Sequence, residues 1–230
     1  MFILRQSSQR GSADHGWLKS QHSFSFADYY DPAHMGFSAL RVINDDIVQP
    51  GMGFGTHGHR DMEIISYVLE GNIAHKDNQG NVRTLPAGEF QLMSAGTGVT
   101  HSEFNHSDKE TLKFLQIWIE PNVKGQTPGY QQKNFGQLEG FTHIISPNGV
   151  NATLQVKQDM HLHQLILSQG QQIDLTSLLP NQYVHLVSGK LDINGIEMTP
   201  GDGLIITDEE NLVFKSIDEG LIKALVFELP

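Results

Sequence analysis

Apolar and polar residues alternate over short stretches along most of this chain, and a period of two is typical of β-strands with one buried face. Helical periodicity is hard to find in any segment, and glycine, proline and asparagine separate the alternating stretches. Many short strands at this spacing predict an all-β barrel or sandwich with few short helices. The clearest predicted strands are 38–44, 63–69, 112–119, 162–167 and 221–229.

A weak internal repeat divides the predicted strands into two similar halves. In the first half, YVLEG at 67–71 is followed by LPAG at 85–88. In the second half, HLVSG at 185–189 is followed by TPGD at 199–202. Each half therefore consists of a strand, a glycine turn, a second strand and a Pro-Gly turn, and we expect two β domains of related construction.

The length of the chain, 230 residues, suits two small domains better than one large domain. The stretch 121–149 is rich in asparagine, glutamine, glycine and proline, which is typical of a linker. We therefore expect a first domain at 1–135 and a second domain at 136–230. An Asn-Gly pair at 194–195 predicts a tight hairpin within the second domain.

The composition excludes several kinds of site and partner. The chain has no cysteine, so a metal could be held only by histidine, carboxylate or water. The net charge of −11, with only 15 lysines and arginines, argues against direct binding to nucleic acid. No apolar run approaches the roughly 20 residues that span a bilayer. Residues 1–10 do not resemble a secretory signal, so we expect a cytoplasmic location without membrane contact.

Histidine is the residue type that points to chemistry, because eight of the twelve histidines precede Asp108. Side chains on a strand alternate between faces, so His57 and His59 aim their imidazoles at the same side. His101 and Glu103 have the same spacing on a second predicted strand. If these strands are neighbours, three imidazoles and a carboxylate converge and could hold one divalent metal ion.

Spacing alone leaves two questions open. Chance gives about 0.6 His-x-His pairs in a chain of this length and histidine content. A second pair, His161 and His163, has no downstream His-x-Glu and is expected to be a feature of the strand surface. Glu63 shares the strand parity of the first histidine pair, so Glu63 competes with Glu103 as the carboxylate ligand.

The other histidines of the first half do not have the spacing of metal ligands. We expect His15, His22 and His34 to be satisfied structural or surface residues. His75 and His106 lie beside polar turns and are expected to be exposed.

The segments around the first histidine pair have distinctive residue sequences and spacings. HGH at 57–59 is followed by Gly71, one residue later than the general cupin pattern, and twelve residues separate Gly88 from His101. Related segments are GWL at 16–18, HSFSF at 22–26, YDP at 30–32, GFSALR at 36–41 and MSAGTG at 93–98. In these features the chain resembles the pirins, a family of bicupins, and most of all the bacterial pirins with quercetin 2,3-dioxygenase activity. The likeness is close in the N-terminal half and looser in the C-terminal half.

This resemblance implies two tandem cupin-type β-barrels, with a metal site in the first barrel and none in the second. The ligands that it implies are His57, His59, His101 and Glu103, with Glu63 beside the site rather than in it. The implied reaction is the cleavage of the heterocyclic ring of a flavonol by dioxygen, with release of carbon monoxide. Glu103 would be the catalytic base that takes the proton of the flavonol 3-hydroxyl.

Three matters stay open in the sequence. Fe(II) is the metal that we expect, but Mn(II), Ni(II), Co(II), Cu(II) and Zn(II) suit the same donors. The protein could instead be a regulatory module that binds a protein partner and uses the redox state of the metal as a switch. It could also be another cupin metalloenzyme with an unknown substrate, because cupin barrels host many reactions.

Overall fold

The computed structural model describes all residues from Met1 to Pro230, and the chain forms two compact units. The N-terminal unit comprises Gly11–Gly136 and Val156–Gln158. The C-terminal unit comprises Met1–Arg10, Gln137–Gln155 and Asp159–Pro230. The structure contains no helix with the length and hydrophobicity that spanning a membrane requires.

Strands make up most of the ordered backbone, and the only helices are two single 3-10 turns, at Ser7–Gln9 and Val150–Ala152. The all-β prediction with few short helices is therefore confirmed. The strands are β1 (Phe2–Arg5), β2 (Gly11–Asp14), β3 (Leu18–His22), β4 (Leu40–Val48), β5 (Gly53–His59), β6 (Glu63–Glu70), β7 (Asn72–Asp77), β8 (Val82–Pro86), β9 (Glu89–Ser94), β10 (Val99–Asn105), β11 (Leu112–Ile119), β12 (Gly129–Asn134), β13 (Gly140–Ser146), β14 (Leu154–Gln155), β15 (His161–Leu167), β16 (Gln172–Thr176), β17 (Asn181–Ser188), β18 (Leu191–Ile193), β19 (Ile196–Met198), β20 (Gly203–Thr207), β21 (Asn211–Ser216) and β22 (Ile222–Leu229).

The N-terminal unit consists of two antiparallel sheets. One has seven strands in the order β12-β9-β6-β11-β4-β3-β2, and the other has four in the order β5-β10-β7-β8. Ile73 and Leu85 of the four-stranded sheet pack against Val68, Leu112 and Phe114 of the seven-stranded sheet. Removing such side chains from water stabilises the fold by about 1.5–3 kcal/mol each, so the core lies between the sheets.

The C-terminal unit repeats this plan. Its larger sheet has the order β1-β20-β17-β22-β15-β13-β14, and its smaller sheet has the order β16-β21-β18-β19. The predicted Asn-Gly hairpin is present, because β18 and β19 pair across Asn194 and Gly195, whose φ angles are 49° and 88°. Two positive φ angles are the signature of the type I′ turn that suits the twist of a hairpin.

Most of the predicted strands coincide with strands of the structure, but the prediction at 38–44 is shifted. Strand β4 begins at Leu40 and continues to Val48. Ser38 has a φ of 49° and belongs to a turn, so the strand starts later than its residue types suggest. Asp45 and Asp46 interrupt the apolar pattern but lie within the strand, and Asp46 is only 2% exposed.

Residues 1–10 lie in a different unit from the one that the sequence predicts. The sequence assigns them to the first domain, whereas β1 pairs with β20, with Phe2 opposite Ile206 and Arg5 opposite Gly203. Alternation shows which face of a strand is buried, but it does not show which sheet edge is free to accept the strand. The partner of β1 was therefore not readable from the chain.

Candidate metal centre

Three neighbouring strands of the N-terminal unit carry a cluster of histidine and acidic side chains. Strand β10 lies between β5 and β7 in the four-stranded sheet. His101 on β10 lies opposite His57 on β5 and opposite Asp77 on β7. Alternation within β5 places His59 on the same face as His57.

A register shift separates His101 from Glu103 along the β5–β10 pair. Glu103 lies opposite Phe54 instead of the residue that regular pairing would give, and on the other side it lies opposite His75. A bulge of this kind bends the strand and changes the direction of a side chain. Glu103 is therefore placed by the strand irregularity as well as by alternation.

The imidazoles of His57, His59 and His101 converge on one point. The Nε2 atom of His101 lies 3.1 Å from Nε2 of His59 and 3.1 Å from Nε2 of His57. The three ligand atoms all lie within 4.8 Å of one another. His101 is buried and the other two rings are half-buried, so the cluster is accessible from one side.

Hydrogen bonding shows that this arrangement fits a metal ion. Nδ1 of His57 lies 2.8 Å from the carbonyl oxygen of Gly55, and a carbonyl accepts only from an N–H, which leaves Nε2 of His57 with a lone pair. If His101 carried its proton on Nε2, that proton could be shared with only one of the two facing nitrogens. A cation between the three Nε2 atoms would satisfy all of them.

Glu103 is linked to this cluster through His101. Its carboxylate forms a second group with His75 and His101 in which the ligand atoms lie within 4.8 Å of one another. The Ser66 hydroxyl donates a hydrogen bond of 3.2 Å to Oε1 of Glu103, while Oε2 is buried without a hydrogen-bond partner. A buried carboxylate oxygen without a donor is unfavourable unless a cation or a proton meets it.

The electrostatics of the cluster favour neutral imidazoles. The pKa of His59 is lowered to about 4, chiefly by burial and also by the neighbouring His101 and His57. Burial also lowers the pKa of His101 to about 3, with contributions from His57 and His75. Neutral imidazole is the form that binds a metal, so the rings are ready to act as ligands at neutral pH.

Glu63 lies outside both groups of ligand atoms. It is 1% exposed, and its Oε2 accepts hydrogen bonds of 2.8 Å from the Ser94 hydroxyl and 3.2 Å from the Lys157 amide. Burial raises its pKa, and these hydrogen bonds offset part of that effect. Glu63 does not continue the alternation of His57 and His59, because β5 ends at His59 and Asp61, with a φ of 49°, turns the chain before β6.

His75 was expected to be exposed, and this prediction is wrong. The residue is 2% exposed on β7, its Nε2 lies 3.2 Å from Oδ2 of Asp77, and its ring lies 5.4 Å from that of His101. The available signal was the alternation His75-x-Asp77, which places both on one face of a strand. The sequence could not supply the register that sets this face beside β10. His106 is exposed, as predicted.

The second histidine pair lies in the C-terminal unit and is half-buried. Nδ1 of His161 lies 3.0 Å from Nε2 of His143, and Nε2 of His163 lies 2.9 Å from Oε1 of Glu228. Burial would raise the pKa of Glu228, but hydrogen bonds from His163, the Leu178 amide and Ser177 lower it to about 2. These side chains satisfy one another and form no group like the two in the N-terminal unit.

Comparisons with known proteins agree with this architecture. Residues 3–119 match the family model described as Pirin, and residues 143–229 match the one described as Quercetinase C-terminal cupin domain. A protein of Escherichia coli K12 named quercetin 2,3-dioxygenase is 47% identical over 100% of this chain and 99% of its own length. The pirin-like protein YhaK of the same organism is 31% identical over 100% of both chains.

Solved structures show the same likeness. The E. coli bacterial pirin YhhW, crystallised in complex with nickel(II), superposes with a TM-score of 0.96 and is 47% identical, covering 100% of this chain and 99% of its own. The prediction of two tandem cupin domains is confirmed. With a family model over more than half of its length and relatives that match it from end to end, the chain belongs to the pirin family.

Proposed function

We propose that this protein is a metal-dependent dioxygenase that opens the heterocyclic ring of a flavonol such as quercetin and releases carbon monoxide. The observation that carries the proposal is the convergence of three imidazole nitrogens, 3.1 Å apart in two pairs. Three such donors and a carboxylate hold a divalent ion and leave coordination positions for a ligand. Relatives named quercetin 2,3-dioxygenase, which match the whole chain, support the substrate class and the use of dioxygen.

We propose His57, His59, His101 and Glu103 as the metal ligands and Fe(II) as the resident ion. Three neutral imidazoles and one carboxylate would leave a divalent ion with a net charge of about +1. The nickel(II) complex of the E. coli relative supports a divalent first-row ion. Mn(II), Co(II), Cu(II) and Zn(II) suit the same donor atoms, so availability in the cell would decide among them.

When bound there, a divalent ion supplies Lewis acidity to a flavonol hydroxyl and redox chemistry toward dioxygen. The chain supplies the proton acceptor. Oε1 of Glu103 is held by the Ser66 hydroxyl, so Oε2 is the free oxygen through which Glu103 would hold the ion, and Glu103 is the carboxylate that takes the proton of the flavonol 3-hydroxyl. The burial of Glu103 and His101 keeps bulk water from competing for this proton.

The experiment that tests this function combines elemental analysis with an activity assay. The protein is purified without added metal, its metal content is measured, and oxygen uptake and carbon monoxide release are followed with quercetin. We expect a single ion per chain and consumption of oxygen in proportion to quercetin. A metal-loaded protein that consumes neither flavonol nor oxygen would contradict the proposal.

His57→Ala and His106→Ala are matched variants for this assay. Both remove one imidazole from the N-terminal unit, but only His57 belongs to the cluster, whereas His106 is exposed. We expect His57→Ala to lose metal and oxygen uptake together and His106→Ala to keep both. Co-purification of a stoichiometric protein partner without turnover would favour the regulatory alternative. Turnover of other compounds but not flavonols would favour another cupin activity.

A further inference from the structure

A cavity of about 270 Å³ lies within the N-terminal unit, and none of the four proposed metal ligands lines it. Its size is near the lower end of small-molecule pockets, which is roughly 300 Å³. Phe26, Tyr29 and Phe54 form aromatic parts of its wall, and Asp46 and Gln116 form polar parts. A cavity with flat apolar surfaces and a few polar groups suits a planar aromatic ligand that carries hydroxyl groups.

Two contacts connect this cavity with the histidine cluster. Phe54 lies directly opposite Glu103 in the pairing of β5 with β10. The ring of Phe26 lies 5.4 Å from that of Trp118, and the Trp118 ring lies 5.0 Å from that of His59. A ligand in the cavity therefore lies next to the side chains that surround the proposed metal centre.

Asp46 is the polar wall residue whose bonding is incomplete. Its side chain is hydrogen-bonded with Ser20, but its Oδ1 is buried and has no hydrogen-bond partner, and the whole residue is 2% exposed. Alternation along β4 places Asn44 on the same face, and its Oδ1 is already engaged with Nδ1 of His22 at 2.8 Å. A buried carboxyl oxygen without a donor or acceptor is rare in folded proteins and points to a missing partner.

The ionisation of Asp46 agrees with a role toward a neutral ligand. The pKa of Asp46 is raised to about 7, chiefly by burial; the hydrogen bond with Ser20 opposes the rise, and the charges of Asp45 and Glu103 add to it. His22 from β3 and Gln116 from β11 line the same cavity. Near neutral pH a large part of Asp46 is therefore uncharged, and a neutral carboxyl both donates and accepts hydrogen bonds.

We propose that Asp46 is a specificity-determining residue whose free carboxyl oxygen forms a hydrogen bond with a ring hydroxyl of the planar aromatic substrate. The inference rests on the proposed function for the class of substrate, but it concerns recognition and not the cleavage step. A site built to pair with a hydroxyl rejects analogues that lack it, because its own buried group is then left unpaired.

The test combines changes in the protein with changes in the ligand. Asp46→Ala and Asp46→Asn are compared with wild type, and Asp45→Asn is the matched control because Asp45 lies next to Asp46 on the same strand and points to the opposite face. Binding is measured without oxygen on the metal-containing protein, with quercetin and with flavonols that each lack a single ring hydroxyl. KM and kcat are measured with oxygen, and circular dichroism verifies that each variant is folded.

We expect Asp46→Ala to weaken quercetin binding about tenfold, the usual effect of losing one hydrogen bond to a carboxyl group. KM should rise in proportion while kcat changes little. One analogue should bind equally well to wild type and to Asp46→Ala, because the hydroxyl that pairs with Asp46 is the one it lacks. Asp46→Asn should retain most of the affinity, and Asp45→Asn, which changes a side chain on the other face of β4, should lose far less affinity than Asp46→Ala.

The outcomes separate this inference from the proposed function. Equal loss of affinity for every flavonol in Asp46→Ala, or a loss confined to kcat, would overturn the role of Asp46 even if quercetin is cleaved. If the binding assay shows that Asp46 and one hydroxyl depend on each other, but no turnover is detected, the proposed role of Asp46 would be supported and the proposed dioxygenase activity would be contradicted. No binding of any flavonol would overturn both.

Discussion

At the scale of single residues, a hydrogen bond to one atom of His57 and of Glu103 leaves another atom of the same side chain free. The Gly55 carbonyl occupies Nδ1 of His57, and the Ser66 hydroxyl occupies Oε1 of Glu103. The atoms left over are Nε2 of His57 and Oε2 of Glu103. Such bonds to the far side of a ligand fix its tautomer and direction, so their loss weakens metal binding even though they do not touch the metal.

The first prediction concerns which carboxylate, Glu103 or Glu63, binds the metal. We expect Glu103→Ala to lower metal affinity by at least about tenfold, because loss of a direct ligand should cost no less than loss of a supporting hydrogen bond. Glu63→Ala should keep the metal but lower the free energy of unfolding by about 1–3 kcal/mol, since the Ser94 hydroxyl and the Lys157 amide lose their acceptor. Metal analysis after dialysis and urea unfolding measure the two effects.

The converse pattern would reverse the assignment. Full metal content in Glu103→Ala together with its loss in Glu63→Ala would make Glu63 the ligand. Glu103→Gln tests the contribution of the negative charge to metal binding, because glutamine keeps the hydrogen bond with Ser66 and removes only the charge.

At the scale of secondary structure elements, the geometry of the histidine cluster depends on how closely β5 approaches β10. A Cβ on Gly53 would lie 2.3 Å from the carbonyl oxygen of Glu103 and 2.5 Å from Cα of Phe104. These are backbone atoms that cannot move aside. Gly53 thus permits the register that places His57 opposite His101.

The second prediction follows from this approach. Gly53→Ala should push β5 away from β10, reduce metal affinity by about tenfold or more and destabilise the fold by about 1–3 kcal/mol, as overpacking usually does. Gly55→Ala is the matched control on the same strand, because a Cβ there meets nothing within 4 Å. Metal titration and thermal unfolding of both variants provide the measurement. Equal behaviour of the two variants would show that the close approach does not matter.

The third prediction concerns β1 as an element of the C-terminal unit. Leu4 packs against the core of that unit, whereas Ile3 is 48% exposed on the other face of the strand. We expect Leu4→Ala to lower the free energy of unfolding by about 1–2 kcal/mol, which is less than the loss for a fully buried leucine. Ile3→Ala should lower it by less than about 0.5 kcal/mol. Hydrogen exchange of the Gly203–Thr207 amides should report the loss in Leu4→Ala. Unchanged protection of these amides in Leu4→Ala would contradict the pairing of β1 with β20.

At the scale of the whole molecule, the two units have glycines at corresponding positions. Gly71 follows β6 and Gly189 follows β17, with φ angles of 80° and 81°. A Cβ would come within 3.2 Å of Cα of Leu112 in the first case and of Ile222 in the second. Only glycine combines this backbone conformation with such close packing, which explains why the repeat is visible in the sequence.

The fourth prediction concerns the acid stability of the molecule. His185 is 1% exposed, and burial, assisted by the charge of Arg10, lowers its pKa from 6.5 to about 3. A depressed pKa means that the folded state binds fewer protons, so the contribution of His185 is complete above pH 6.5 and is lost as the pH falls toward 3. The loss over this window should be a few kcal/mol.

His185→Gln tests this contribution because glutamine stays neutral throughout. We expect the free energy of unfolding to fall less steeply between pH 6.5 and 3 in the variant than in the wild type, as measured by urea titrations at several pH values. Parallel curves for the two proteins would show that His185 is not the group responsible. His106→Ala, which removes an exposed imidazole, should leave the slope unchanged.

The sequence by itself determined the fold class and singled out the residues of the proposed site. Alternation identified β6, β11, β15 and β22, because a period of two is imposed wherever one face of a strand is buried. The Asn-Gly turn and the repeated glycines were readable because few residues tolerate positive φ. The spacing His57-x-His59 and His101-x-Glu103 similarly showed which side chains share a face of their strand.

Only the tertiary structure decided which faces meet. It paired β1 with β20, turned Glu63 toward Ser94, and buried His75 beside His101. It also placed Asp46 in the wall of a cavity. The sequence, in which Asp46 follows Asp45, does not indicate this position. Outside a tight hairpin, strand register and sheet order depend on hydrogen bonds between segments far apart in the chain, and local residue patterns do not specify them.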